Sequence, residues 1–208
     1  MYIPDQFRER DTGVLQDFMD RFSFATLVTQ QNGEMIASHL PFVLERDVRP
    51  YGVLRTHLAR KNPQFEHLQS GSEALIIFQG PHAYISPMWY ANQKSVPTWN
   101  YVAVHAYGRP TPLGESDLVE LLRKLVEEHE GSSAEKWDFE AGQPWIKQRL
   151  PLIAGFQIPI SNLEGKFKLN QDRTPEDREG VIDKLNRSED PLRRELAVLM
   201  RRGGVEDE

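Results

Sequence analysis

Arg55, His57, Arg60 and Lys61 crowd into one stretch, RTHLARKNPQ at residues 55–64. Three of them carry a permanent charge. The stretch closes on Asn62-Pro63, a good opening for a short helix. The Asn side chain can accept from a first-turn N–H, and Pro suits the first turn. Guanidinium, ammonium and helix N–H groups together are what a doubly negative phosphate binds. Taken singly, each residue is better explained as part of a solvated charged turn. The cluster is what points to an anion.

A second set lies in VPTWNYVAVHAYG, residues 96–108. Strand alternation puts Thr98, Asn100, Val102, Val104 and Ala106 on one face. Trp99, Tyr101, Ala103, His105 and Tyr107 take the other. The aliphatic trio is core material. The aromatic row is too bulky for a tight barrel interior and predicts a helix, a partner chain or a ligand against it. Aromatic stripes on strands are more often plain packing. Thr98 and Asn100 shift that balance, because a buried hydroxyl or amide needs partners. A third set, GKFKLNQDR at 165–173, puts Lys166 and Lys168 on one strand face with Gln171 beyond. The bland alternative is an edge strand that lysines keep from aggregating. His57, His82 and His105 could donate protons, but a satisfied structural role is the better reading of each. No acid–base pair singles out a substrate, and no catalytic residue is assigned.

Ordinary elements must position these residues. DTGVLQDFMDRF predicts a helix with Val14, Leu15, Phe18 and Phe22 on one stripe. FATLVTQ and MIASHLPFVLE flank Asn32-Gly33, a strong hairpin signal. YGVLRTHLA and EALIIFQG read as strands. PHAYISPMWY follows with a Pro at each break, and ANQKSVP is a loop. ESDLVELLRKLVEEHEG predicts a helix with Leu118, Leu121, Leu122, Leu125 and Val126 in its stripe and Gly131 as its stop. WDFEAGQPWIKQRLPLI holds a short helix, and IAGFQIPISNLEGKFKLNQ a final strand pair. Thr174, Pro175 and Asp177 open one more helix, Asp190-Pro191 opens the last, and the tail 203–208 is expected to fray.

The bulk composition narrows the function. The chain has 208 residues, 39% hydrophobic and 27% charged, enough for one domain with a core of its own. No apolar run approaches the length of a membrane helix, and the N-terminus does not read as a signal peptide. There is no cysteine, which excludes disulfides, thiolate catalysis and zinc–thiolate sites and fits a cytoplasmic setting. No metal site is expected. A formal net charge of −6 argues against a protein coated for nucleic acid. Sequence signatures of P-loop, Rossmann, zincin and α/β-hydrolase chemistry are missing.

MYIP, SHLPF, HLARKNPQ, FQGPHAYISP, VPTWNYVAVHAYG and KFKLNQ followed by DREGVI together resemble the PaiB family, grouped with the flavin-binding split barrels that include pyridoxamine phosphate oxidase. The likeness runs from Met1 to about Arg202. It implies an α+β fold, a six-stranded antiparallel split β-barrel with flanking helices, as a single domain over 1–202 with a helical C-terminal extension. It also implies a homodimer with FMN in clefts between the subunits. On this likeness His57, Arg60 and Lys61 lie near the FMN phosphate, and Ser38, His39 and Leu40 line the flavin. Thr98, Trp99 and Asn100 serve the ring and ribityl chain, and Lys168 and Gln171 reach the cofactor. The family commonly has Ser where this chain has Asn170. Met88 also departs from the pattern and takes no role.

The resemblance points to flavin-dependent redox chemistry, or to flavin or metabolite sensing linked to negative transcriptional regulation, and leaves open whether the chain is an enzyme. A direct DNA-binding repressor is one alternative. Its best support is the basic helix PLRRELAVLMRR, with Arg193, Arg194, Arg201 and Arg202, although arginine near a helix C-terminus also answers the helix dipole. Haem binding or degradation is another alternative, and no sequence cue selects a ligand histidine for it.

Overall fold

A computed structural model describes residues 1–131 and 135–202. The expected frayed tail, 203–208, lies outside the described residues, as does the side chain of Arg202. The fold is α+β, built on a large antiparallel sheet. Its elements in chain order are β1 (Arg8–Glu9), α1 (Thr12–Arg21), β2 (Phe24–Gln31), β3 (Glu34–Pro41), β4 (Val43–Glu45), β5 (Val53–Ala59) and α2 (Gln64–Gln69). Then come β6 (Ala74–Ile85), β7 (Thr98–Gly108), β8 (Thr111–Pro112), α3 (Glu115–Glu130), α4 (Phe139–Arg149), β9 (Ile153–Lys168), α5 (Pro175–Asn186) and α6 (Pro191–Arg202). The strand order is β3-β2-β6-β7-β9-β5-β4, with β1 and β8 each pairing to β9. Nine strands are present among the described residues where six were expected. The additional three, β1, β4 and β8, are only two or three residues long.

The chain divides into two compact units. The larger comprises Thr12–Phe78 and His105–Leu163. Here α1 buries Leu15, Phe18 and Met19, while Val14, expected in the stripe, is exposed. The β2–β3 hairpin closes at Asn32 and Gly33, with φ of 53° and 85°. Two positive φ angles in succession are what the favoured two-residue hairpin turn demands, and Asn-Gly tolerates them best. Registers Leu27↔Ser38 and His57↔Gly155 fix β3 on β2 and β5 on β9. Asn62 Oδ1 accepts the N–H of Gln64 at 2.9 Å and starts α2. Buried Gln64 donates to the carbonyls of Leu27 and Ile36, and buried Thr29 meets His67 at 3.0 Å. These bonds pin α2 to the hairpin. Leu118, Leu121 and Leu125 of α3 form a core with Val43 and Leu150. Asp138 caps α4 through the N–H groups of Glu140 and Ala141.

The smaller unit comprises Met1–Asp11, Gln79–Val104 and the described part of Glu164–Glu208. Thr174 caps α5 by accepting from Asp177 N–H, as its spacing predicts, and Asp190 accepts from Leu192 N–H at the start of α6. Val181, Ile182 and Leu185 of α5 and Leu196, Ala197 and Met200 of α6 are buried. Gly180 leaves α5 free to approach the carbonyl of Trp89, which any Cβ there would strike.

Two sequence expectations fail. The break at Pro81 is absent, because β6 continues from Ala74 to Ile85. Its burial alternates through Ala74, Ile76, Phe78 and Gly80, then slips by one to Pro81, Ala83 and Ile85. A one-residue slip is how a strand accommodates a proline that cannot donate to the ladder. The expected final strand pair is one sixteen-residue strand, β9. SNLEG does not turn back; instead Gly165 and Lys166 continue straight to pair with Glu9 and Arg8 of β1.

Candidate functional site

In the larger unit, β3, β5 and the turn between β5 and α2 carry six of the residues singled out by sequence. Ser38 Oγ accepts from Asn62 Nδ2 at 2.9 Å, which ties the strand to the turn bearing Arg60 and Lys61. His39 Nδ1 lies 3.0 Å from Thr26 Oγ1 across the hairpin, and half-buried Leu40 pairs with Ala25. Arg60 is anchored by its own backbone, whose N–H donates to the Leu152 carbonyl at 2.9 Å. Its guanidinium carbon stands 5.5 Å from the centre of the Phe65 ring. Among the described residues its side chain makes no ion pair. Lys61 is exposed.

Arg60 lines a hollow of about 490 Å³ with Phe65, Gln69, Lys147, Phe156 and the backbone of Gly155, and Glu115 adds one negative charge. A guanidinium and an ammonium beside a carboxamide and two phenyl rings can hold an anionic group at one end of a ligand and an apolar surface at the other. His57 faces elsewhere. It lines a separate apolar hollow with residues of α3 and α4, and burial pushes its pKa below the ordinary 6.5. Arg55, grouped with these cations in sequence, is neutralised by Glu45 at 3.1 Å, which Lys124 also meets at 3.2 Å. The helix N–H groups expected to join the anion site are already occupied. Gln64 N–H goes to the Asn62 side chain, and the Phe65 and Glu66 N–H groups go to the carbonyls of Asn62 and Pro63.

The other five residues belong to the smaller unit. Lys168 Nζ hydrogen-bonds Thr98 Oγ1 and stands 5.9 Å from the Phe7 ring centre. Trp99 is 52% exposed. It forms an aromatic group with His82 and Tyr84, at centroid distances of 6.1 and 6.2 Å. Asn100 is wholly buried. Its Nδ2 reaches Met200 Sδ at 3.6 Å, while Oδ1 has no hydrogen-bond partner among the described residues. Gln171 spends its carboxamide on its own turn, accepting from Leu169 N–H and donating to the Phe167 carbonyl. Lys166 lies buried between Tyr2 and Tyr101, its Nζ donating to the Tyr2 carbonyl at 3.2 Å. The solvated edge weighed for this lysine is therefore not what the fold builds.

Residues 1–162 match a family described as "Putative FMN-binding domain". Over 202 residues, 96% of each chain, the sequence is 36% identical to the protease synthase and sporulation protein PAI 2 of Bacillus subtilis. The chain belongs to the PaiB family. Two solved structures share its fold at low identity. A conserved hypothetical protein of Mycobacterium tuberculosis superposes with a TM-score of 0.60 at 12% identity, over 84% of this chain and 94% of that one. The FAD and haem binding protein of Mycobacterium smegmatis gives 0.58 at 14%, over 77% and 73%. The fold class is the split barrel with flanking helices.

Asn170 sits at φ 62°, in the left-handed region where Asn is strongly preferred over other non-glycine residues. Its buried side chain reaches Tyr90 Oη at 3.4 Å. Sequence reasoning missed Gln69 and Lys147 beside Arg60. Lys147 sits in WIKQR on α4, and no spacing rule connects that helix to the turn after β5. Among the described residues, no helix is long and apolar enough to cross a membrane.

Proposed function

We propose that this PaiB-family chain binds FMN, with Arg60 and Lys147 on the phosphate and Lys61 adding charge at its rim. The observation that carries the reading is Arg60. It stands over Phe65, without an ion pair among the described residues, at a hollow that combines cations with an apolar floor. Arg46, Arg55 and Arg123 each meet a carboxylate; Arg60 meets a ring instead. Taken by itself, the smaller unit offers a partly exposed indole at Trp99, a hydroxyl at Thr98 and an ammonium at Lys168, groups of the kind a flavin ring and ribityl chain contact. The functional form in this reading is a homodimer with FMN in clefts between its subunits. Bound flavin supplies electron and hydride transfer, and the protein supplies orientation and electrostatics.

Regulation in this reading is indirect, through flavin redox state or a metabolite. The name of the Bacillus subtilis relative, tied to protease synthesis and sporulation, supports a regulatory use. The terminal helix offers little to DNA. Arg193 and Arg201 meet Asp190 and Glu179, and Arg194 donates to the carbonyls of Ser188 and Glu189.

The test is titration of the purified chain with FMN and with riboflavin, followed by flavin fluorescence. FMN is expected to bind and riboflavin to bind more weakly, because only FMN carries the phosphate. Absence of flavin binding with a Soret band on haem addition would overturn the reading in favour of haem, and absence of both would overturn cofactor binding altogether.

A further inference from the structure

The α3 stripe is wider than the surface that covers it. Leu118, Leu121 and Leu125 are buried, but Leu122 and Val126 remain only partly covered. They open, with Leu125, Phe139 and Ile146, onto a hollow of about 330 Å³ whose polar lining is confined to His57, His129 and Glu130. Trp137 forms one wall. It is 44% exposed, yet its ring packs on two sides and its backbone is tied down. Its backbone N–H donates to Glu130 Oε2 at 3.3 Å. Its ring lies against Gly142, where any Cβ would strike it, and it meets Phe139 edge-on at 6.1 Å. A half-exposed indole fixed this firmly is a preorganised wall, since little side-chain freedom remains to be lost when something stacks on it.

His57 supplies the polar end. Its Nδ1 is buried out of reach of solvent with no hydrogen-bond partner among the described residues, so what His57 offers the hollow comes from the rest of the ring. Burial holds the ring neutral, so one nitrogen can donate and the other accept. Glu130, the one formal negative charge on the lining, already accepts from the backbone N–H of Trp137.

We propose that this hollow is a second binding site, separate from the Arg60 hollow, for an uncharged flat aromatic molecule carrying one hydrogen-bonding group for His57. Its volume falls in the range of small-molecule pockets. The site makes no use of the flavin reading and stands or falls separately from it.

The test is calorimetric titration of the full chain with indole, with benzoate and tryptamine as charged comparators. Indole is expected to bind saturably and more tightly than either. Val126→Trp and Leu122→Phe fill the hollow and should each weaken indole about tenfold or more, the loss that an excluded ring contact and an unmet hydrogen bond predict. FMN affinity should be unchanged in both. If one filling variant fails to fold, the other decides. The proposal is overturned by an absence of saturable indole binding in the unsubstituted chain, or by indole affinity that survives filling. Preference for tryptamine would also overturn it, by making Glu130 the recognition group of a cation site.

Discussion

His57 and Arg60 are three residues apart in the chain, and each lines a hollow of its own. Around Arg60 the lining is charged, with Lys147, Glu115 and Gln69 beside phenyl rings. Around His57 it is aliphatic and aromatic, and burial keeps the imidazole neutral. The cause is local. His57 lies within β5, so the pleat and its register with Gly155 fix which way it faces. Arg60 follows the strand's last residue, where the chain turns and the Leu152 carbonyl holds its backbone. One run of basic residues therefore splits between two hollows of different lining. Adjacency in sequence says that charges are near each other, but the pleat and the strand end decide whether they converge.

Deleting Arg60 should separate the two hollows most sharply. A hydrogen bond to a charged group contributes about 1.5–3 kcal/mol, so Arg60→Ala should weaken FMN roughly 10- to 100-fold. Riboflavin and indole should bind as before. Equal losses for FMN and riboflavin would remove the phosphate assignment while leaving flavin binding intact.

Gly142→Ala is the converse experiment. The new methyl displaces the Trp137 ring, and an aromatic contact contributes about 0.5–1.5 kcal/mol, so indole should weaken about threefold to tenfold. FMN should not respond. Stability should change little, because the helix-propensity gain of about 1 kcal/mol from Gly to Ala offsets lost ring packing. A fall in FMN affinity here would show that the hollows communicate.

Lys61→Ala should act in the same direction as Arg60→Ala but far less. Both residues are exposed, but Lys61 does not line the hollow; an ionic contact at the rim contributes about 0.2–1 kcal/mol, so FMN should weaken by about fivefold at most. The effect should shrink further in high salt. A Lys61 effect as large as that of Arg60 would mean that the two cations grip one buried group.

The elements were far more legible than the site. Asn32-Gly33, Thr174-Pro175, Asp190-Pro191 and the Leu118–Leu125 stripe each follow from short-range rules, and each stands where those rules put it. The failures have physical causes as well. Pro81 is absorbed by a slip in burial phase, and SNLEG stays extended because β1 offers it a partner from the far N-terminal end of the chain. No local pattern encodes either. For the site, sequence identified the residue types around Arg60 but not Lys147, which arrives on a helix folded back from elsewhere. Nor could it show that Arg55 is occupied by Glu45, or that Asn62 uses up the helix N–H groups. Gln171 illustrates the same limit, since its carboxamide serves its own turn. Asn100 is wholly buried, and the fold gives it a sulfur and leaves its oxygen without a hydrogen-bond partner among the described residues.

The smallest expected effect concerns the neutral side of the comparison. Burial depresses the pKa of His57, so between the folded value and the ordinary 6.5 the unfolded chain binds the extra proton. Stability therefore rises with pH across that window, is complete above it, and is lost as the pH falls through it. His57→Phe keeps the ring's bulk and removes the titration. Its stability, measured by urea denaturation between about pH 5 and 7, should fall less steeply towards acid than that of the unsubstituted chain. Glu128 has the opposite sign. Burial and then the nearby charge of Asp20 raise its pKa above 4.5, so its contribution declines as pH rises from that value. Both chains carry Glu128, and His129 and Glu130 line the same hollow in both, so the difference between the two slopes isolates His57. Parallel slopes would mean that water reaches the imidazole, and with it that the hollow is too wet to prefer an uncharged aromatic guest.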